Sequence, residues 1–235
     1  MTIHYHGTPL TPRSEMLKMA GKHFCVSFAN PADADWCLQH GQSVMWDNGA
    51  FTFFRGGRAP DWNKYYAWLE ALLGHPHWAV IPDVIDGNVD EQQELVAKWP
   101  YPRHLGAPVW HTGLPFDYLI ELAENWPRVC FGSSGVYWQV GSPAWERRID
   151  EAFNQLERRG LRPWVHMLRG LAMCGDRWPF ASADSVNVAR NFKNVGSETC
   201  PERMARRIDA VQCPIKWTLR ANNDNLGDLF NATVA

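Results

Sequence analysis

Short apolar segments alternate along this chain with longer segments of helical periodicity, and this alternation constrains the fold more than any other feature. The apolar segments are Ile3–His6, His23–Phe28, Ser43–Trp46, Trp78–Pro82, Ala107–Trp110, Arg128–Phe131, Trp164–Leu168 and Phe180–Ala183. Such alternation is typical of parallel strands joined by right-handed helical connections. Eight strand–helix units in 235 residues predict an α/β fold, a (β/α)8 barrel of the TIM type, at the short end of the range of about 200 to 400 residues.

The segments between the predicted strands carry signals of helix ends. Ser142 and Pro143 precede an apolar stripe that ends before Gly160, and Asn88 and Thr199 each precede a glutamate at capping-box spacing. We therefore expect helices to form an outer ring. A doubly wound open sheet is the alternative, and it requires that one or two of the apolar segments be loops.

The composition predicts one domain in a reducing compartment. Hydrophobic residues make up 46% of the chain, enough for one large core, so we expect the barrel to occupy residues 1–220 and a polar tail to occupy 221–235. The six cysteines show no C-x-x-C spacing, and no segment has the pattern of a signal peptide or a membrane span. We expect a cytoplasmic protein, in the host cytoplasm if it is phage-encoded, with no metal, no cofactor and no membrane partner.

The charge of the chain argues against general affinity for nucleic acids, because that affinity comes mainly from Lys and Arg at phosphates. The formal net charge is −2, but between positions 187 and 220 seven basic residues stand against three acidic ones, a local excess of four. The basic residues are Arg190, Lys193, Arg203, Arg206, Arg207, Lys216 and Arg220. This pattern indicates either a nucleic-acid contact or a solvated helix face.

Three aspartates follow predicted strands, where the catalytic residues of such barrels lie. They are Asp47, Asp83 and Asp184. Each also has a purely structural interpretation: Asp47 precedes Asn-Gly in a turn-like sequence, Asp83 is interpreted as a turn former, and Asp184 as a helix cap. The recurrence of carboxylates at three strand exits favours a functional site.

Other residues at the strand exits suggest ligand contacts. The stretch Gly132-Ser133-Ser134-Gly135 can bring backbone N–H groups close to a planar ligand or a phosphate, although a tight turn explains it equally well. His111 and His6 also end strands, where a histidine more often packs than reacts. The chain has no metal-ligand spacing and no phosphate-binding, dinucleotide-binding or serine-hydrolase motif.

Five stretches taken in order resemble a known superfamily. They are Asp47–Phe51, Ile81–Asp83, Gly132–Gly135, Trp164–Leu171 and Phe180–Asn191. They resemble segments of the tRNA-guanine transglycosylase superfamily, and most of all its short 7-deazaguanine DNA transglycosylases. The last stretch is the most specific, because an apolar strand, an aspartate and Ala-Arg-Asn stand at the family's distance.

The resemblance implies base exchange through a covalent aspartyl-glycosyl intermediate. Asp184 would be the nucleophile and Asp47 the general acid and base. Base contacts would come from Asp83, Phe51, Gly132, Ser133, Ser134, Arg169, Gly170 and His111. Nucleic-acid contacts would come from Arg190, Lys193, Arg203 and Arg207. The partners would be DNA, as a duplex or locally opened, and a free 7-deazaguanine base such as preQ0; the number of subunits is left open.

The chain departs from the family's tRNA enzymes. Those enzymes carry Cys-x-Cys-x-x-Cys and a distal His for structural zinc after the nucleophile, whereas here only Cys200 and Cys213 follow Asp184, and no His follows His166. We therefore expect no zinc subdomain, which favours DNA over tRNA. The alternatives are a tRNA enzyme without zinc, a nucleoside or glycoside hydrolase, and a non-catalytic nucleic-acid-binding barrel.

Overall fold

The structure, a computed structural model, describes residues 1–194 and 200–220. The expected capping position Thr199 and the expected tail 221–235 lie outside these residues. Nine strands are present in the described part, and all paired neighbours run parallel. The strands are β1 Ile3–Gly7, β2 His23–Ser27, β3 Ser43–Asp47, β4 Trp78–Val80, β5 Gly106–Ala107, β6 Val109–His111, β7 Arg128–Gly132, β8 Trp164–Met167 and β9 Ser182–Ser185.

Helices connect the strands, as the periodicity predicted. Those in the described residues are α1 Arg13–Leu17, α2 Ala34–His40, α3 Ala50–Arg55, α4 Trp62–Leu69, α5 Val89–Ala97, α6 Phe116–Asn125, α7 Pro143–Arg158, α8 Asn187–Asn191 and α9 Pro201–Asp209. Two predicted helix starts are confirmed. Asn88 and Glu91 form a reciprocal capping box at α5, and Ser142 caps α7 by accepting a hydrogen bond from the Trp145 N–H at 3.2 Å.

The sheet curls into a nearly closed barrel. Its strand order is β5-β4-β3-β2-β1-β9-β8-β7-β6, so β5 and β6 lie at opposite ends of the order although only Pro108 separates them in the chain. The Pro108 carbonyl accepts a hydrogen bond from the Cys130 N–H at 2.8 Å, but proline has no N–H to donate, and the ladder breaks there. The expected strand Ala107–Trp110 is thus two short strands. This topology is consistent with a TIM-type barrel and disfavours the open sheet.

Strand side chains alternate between the barrel interior and the helix layer. One buried cluster fills the interior and includes Tyr5, Met45 and Trp78. Side chains on the other face of the strands, such as those of Phe24 and Trp46, pack outward against side chains of the helices. The chain therefore builds a core on both sides of the strands.

The interior is closed at the amino ends of the strands. Arg128 begins β7, and its guanidinium carbon lies 4.5 Å from the Trp164 ring centroid and 4.8 Å from that of Trp78. Trp78 and Trp164 begin β4 and β8, so the three side chains form one layer across that end. The cavity described below lies at the opposite end of the barrel, at the carboxyl ends of the strands.

Among the helices that the structure describes, none combines the length and the apolar character that crossing a bilayer requires.

Candidate active site

A cavity of about 700 Å³ lies at the carboxyl ends of the strands. Asp47, Asp83 and Asp184 all line it. Asp47 is the last residue of β3, Asp83 follows β4, and Asp184 lies within β9. The structure therefore brings together, around one opening, the three carboxylates that the sequence indicated.

Asp47 ends β3 in a tight turn. Its Oδ2 accepts a hydrogen bond from the Gly49 N–H at 3.1 Å, and Gly49 has the left-handed φ of 75° that favours glycine. Burial raises the pKa of Asp47 to about 6, opposed by a hydrogen bond to Ser27 and assisted by the charges of Asp184 and Asp83. The turn interpretation is thus correct, but the same carboxyl group faces the cavity. With this pKa it can both donate and accept a proton near neutral pH.

Asp83 is buried and held on both oxygens. Its Oδ1 accepts a hydrogen bond from Asn48 Nδ2 at 2.7 Å, and its Oδ2 lies 2.8 Å from His111 Nε2. The same Asn48 amide also donates to the Ile81 carbonyl at 2.8 Å. His111 lines the cavity, and its Nδ1 is buried without a hydrogen-bond partner in the described chain. Asp83 and His111 thus form a fixed polar pair in the wall of the cavity.

Asp184 uses one oxygen to fix its position. Its Oδ1 accepts a hydrogen bond from the backbone N–H of Arg169 at 2.6 Å, and His166 Nε2 lies 3.3 Å from the same oxygen. The interpretation of Asp184 as a helix cap is wrong, because α8 begins at Asn187 and Val186 holds the capping position. The carboxylate is instead part of the cavity wall.

Arg169 and Phe51 form a second wall of the cavity. Arg169 has a φ of 56°, a left-handed conformation that costs a non-glycine residue about 1–2 kcal/mol. Its guanidinium carbon lies 3.8 Å from the centroid of the Phe51 ring. Both residues line the cavity, so a cation and an aromatic face are available there.

The Gly132–Gly135 stretch contributes less to the cavity than the sequence suggested. Gly132 and Ser133 line it, whereas Ser134 does not. A Cβ at Gly132 would lie 2.9 Å from Val109 Cγ1 and 3.1 Å from His111 Nδ1, so glycine is needed here for close packing. The Ser134 hydroxyl accepts a hydrogen bond from the Gly113 N–H at 3.2 Å, and the Ser133 hydroxyl accepts one from Trp145 Nε1 at 2.9 Å.

Gly170 lies outside the cavity lining as well. A Cβ at this position would collide with the side chain of Met167. Glycine therefore permits the close turn that follows β8, and this turn directs the Arg169 N–H to Asp184.

The four basic residues expected to bind nucleic acid do not form one surface at the cavity. Arg190 lines the cavity. Lys193 instead lies over Phe192, with 5.3 Å between its Nζ and the ring centroid. Arg203 and Arg207 are exposed residues of α9. Of these four residues, Arg190 is therefore the one placed to contact a substrate in the cavity.

Sequence reasoning missed Asn48 and His166. Asn48 is next to Asp47 in the chain, yet its amide orients Asp83 from the neighbouring strand exit. His166 lies in the apolar strand β8 and is fully buried. A polar residue at an interior position of a strand was the available signal, because such a residue needs a partner inside the barrel.

In residues 1–194 and 200–220 no group of three or more His, Cys, Asp or Glu side chains is arranged to hold a metal ion. The chain matches no protein-family model and no curated protein sequence. A proposal about its function therefore depends on the geometry of this cavity and on the resemblance of its motifs.

Proposed function

We propose that the protein is a DNA base-exchange enzyme that replaces guanine with a 7-deazaguanine base. The main support is one observation: three carboxylates share a cavity but have three different environments. Burial raises the pKa of Asp47 to about 6, Asp83 is held on both oxygens, and Asp184 is held on one oxygen only. These environments fit an acid–base group, a base-recognition group and a nucleophile.

In the first step Asp184 attacks C1′ of a deoxyguanosine. A carbon–oxygen bond forms between C1′ and the carboxylate, while the bond from C1′ to the guanine nitrogen breaks. Protonated Asp47 donates its proton to the departing guanine. The product is a covalent glycosyl ester of Asp184, as in retaining glycosidases.

In the second step the incoming base reverses this sequence. Ionised Asp47 removes the proton from the ring nitrogen of the 7-deazaguanine, and that nitrogen attacks C1′. The ester bond breaks and Asp184 leaves as a carboxylate. Each step moves one proton through Asp47, which is why a pKa near neutrality suits this residue.

The cavity contains groups that fit a purine-like base. The Phe51 ring offers an aromatic face for stacking, and Asp83 offers lone pairs to the N–H groups of the base edge. His111 also lines the cavity and holds Asp83 Oδ2 in place. Hydrogen bonds already fix both carboxylate oxygens of Asp83. This carboxylate can therefore accept hydrogen bonds from the edge of the base without reorganising.

The surface beside the cavity supports a nucleic-acid partner. Trp138 and Val136 follow β7 and are 70% and 79% exposed, and Arg55 and Arg58 are exposed at the end of α3. An exposed indole can stack on an unpaired base, and arginines can contact phosphates. Contacts of this kind would offset the few kcal/mol needed to extrude a base from a duplex.

The proposed enzyme consists of a single domain without a zinc subdomain, and its substrate is DNA. After the proposed nucleophile the sequence has only Cys200 and Cys213 and no histidine, so it lacks the Cys-x-Cys-x-x-Cys and the distal His of the tRNA enzymes. This departure of the sequence from the tRNA enzymes is what favours DNA over tRNA in the proposal.

The direct test is mass analysis of nucleosides after incubation with the protein. Duplex DNA, single-stranded DNA, tRNA and free ribonucleosides are each supplied with isotope-labelled guanine or a 7-deazaguanine. We expect the label to enter DNA. Incorporation into tRNA alone would favour the zinc-free tRNA enzyme, base release from free nucleosides would favour a hydrolase, and DNA binding without any exchange would favour a non-catalytic barrel.

The matched variants are Asp184→Asn and Asp86→Asn. Asp184→Asn should abolish exchange with the fold intact, since an amide cannot serve as the nucleophile. Asp86 is an exposed aspartate close to Asp83 in the chain and is not part of the cavity lining, so its variant should retain wild-type exchange. Robust exchange by Asp184→Asn would disprove the assignment of the nucleophile.

A further inference from the structure

His166 has no part in the steps above, yet both of its ring nitrogens have partners. The side chain is fully buried inside the barrel. Its Nδ1 lies 2.6 Å from Ser182 Oγ, and its Nε2 lies 3.3 Å from Asp184 Oδ1. A line of three side chains therefore runs from the interior of the barrel to the cavity wall.

The donors and acceptors along this line follow from charge. Burial lowers the pKa of His166 below its ordinary value, against the effect of Asp184, so the ring is neutral and carries one N–H. The carboxylate form of Asp184 that the proposed reaction requires can only accept hydrogen bonds, which places the proton on Nε2. His166 Nδ1 then accepts a hydrogen bond from the Ser182 hydroxyl.

The two oxygens of Asp184 therefore differ. Oδ1 accepts from the Arg169 backbone N–H and from His166. Oδ2 has no hydrogen-bond partner in the described chain, and Asp184 lines the cavity. Because Oδ1 is held by two donors on the protein side, the second oxygen is the one available to a substrate carbon.

We propose that His166, oriented by Ser182, is a positioning residue that holds Oδ1 of Asp184 so that Oδ2 attacks the sugar. This inference rests on the proposed function. In the glycosyl ester Oδ1 is the carbonyl oxygen, and it keeps its two donors. When the ester breaks in the second step, the same donors stabilise the negative charge that returns to the carboxylate.

Two variants of His166 separate positioning from packing. The longer side chain of His166→Gln puts its amide nitrogen where Nε2 lies in the wild type, so it can still donate a hydrogen bond to Asp184. The shorter side chain of His166→Asn puts its amide only where Nδ1 lies, so it can contact Ser182 but not Asp184. We expect His166→Asn to lower kcat for base exchange about ten- to hundredfold with unchanged KM, and His166→Gln to stay within about threefold of wild type. Equal losses in both variants, or no loss in His166→Asn, would overturn the proposal.

A spectroscopic measurement tests the arrangement without catalysis. In ¹⁵N NMR spectra of histidine-labelled protein, the His166→Asn variant identifies the His166 signals by their loss. We expect a protonated Nε2 and an unprotonated Nδ1 in the wild type, and loss of this preference in Asp184→Ala. A proton on Nδ1 would overturn the proposal, even if no base exchange is detected and the proposed function itself fails.

Discussion

The guanidinium of Arg169 lies over one face of the Phe51 ring, with 3.8 Å between the guanidinium carbon and the ring centroid. Arg169 follows β8 and Phe51 lies in α3 after β3, four places apart in the strand order, so the contact spans the cavity. Burial lowers the pKa of Arg169, and the charges of Asp184, Asp47 and Asp83 oppose this effect. One cation therefore balances part of the negative charge of the cavity and orders the aromatic wall.

The first prediction concerns this aromatic wall. Phe51→Ala should raise KM for the free base about five- to hundredfold, because stacking of a base on an aromatic ring contributes about 1–3 kcal/mol. Steady-state exchange kinetics with varied base concentration measure the effect. Phe54→Ala is the control, since Phe54 lies in the same helix, is 50% exposed and is not part of the cavity lining. An unchanged KM in Phe51→Ala would contradict a stacking role.

The second prediction concerns pH and Asp47. Its folded-state pKa of about 6, compared with 3.8 for a free side chain, means that the folded state binds more protons between these pH values. Stability therefore falls as pH rises through this window, by about 3 kcal/mol if the whole difference is expressed.

Asp47→Asn removes the free-energy cost of keeping an ionised carboxyl group buried at neutral pH. We expect its free energy of unfolding at pH 7 to exceed that of wild type by about 1–3 kcal/mol, with the gain vanishing near pH 4. Urea denaturation at both pH values measures it, with the exposed Asp86→Asn as the control. A variant that gains equally at pH 4 and pH 7 would show that charge is not the cause.

The third prediction concerns the anchoring of Asp83. Asn48→Ala removes the amide that donates to Asp83 and to the Ile81 carbonyl. Because buried acceptors then lose a donor, we expect a loss of about 1–3 kcal/mol in the free energy of unfolding and a higher KM for the free base. Asn63→Ala, at an exposed position of α4, should change stability by less than about 0.5 kcal/mol. Similar free energies of unfolding for the two variants would argue against a role of Asn48 in holding Asp83.

The fourth prediction concerns the surface beside the cavity. Trp138→Ala should weaken binding of single-stranded DNA about five- to hundredfold through loss of one stacking contact, measured by fluorescence anisotropy of a labelled oligonucleotide. Ile215→Ala is the control, because Ile215 is 90% exposed and lines a different pocket together with Trp164, which begins β8 at the other end of the barrel. Equal affinities for both variants would exclude Trp138 from the DNA-binding surface.

Much of the fold was predictable because its signals are local. Apolar alternation located the strands, and the pairs Asn88–Glu91 and Ser142–Pro143 located the starts of α5 and α7. Such signals depend on side chains only a few residues apart. The break at Pro108 was harder to predict, because it depends on how the two ends of the sheet meet.

The candidate site was predictable in part. The positions of Asp47, Asp83 and Asp184 at strand ends predict that they lie together, because the carboxyl ends of parallel strands meet at one edge. The boundary of the last strand was less accurate, since β9 is Ser182–Ser185 rather than Phe180–Ala183, and Asp184 pairs in register with Tyr5. That pairing with β1 extends the strand past the apolar segment.

By itself, the sequence determined the alternation of strands and helices and the three carboxylates at strand exits, since both are properties of neighbouring residues. Only the tertiary structure decided which partners those carboxylates have: Asn48 and His111 for Asp83, and the Arg169 N–H and His166 for Asp184. The physical reason is that curling the sheet into a barrel brings residues far apart in the chain within hydrogen-bond distance inside a buried space. The chemistry of a carboxyl group there depends on those neighbours.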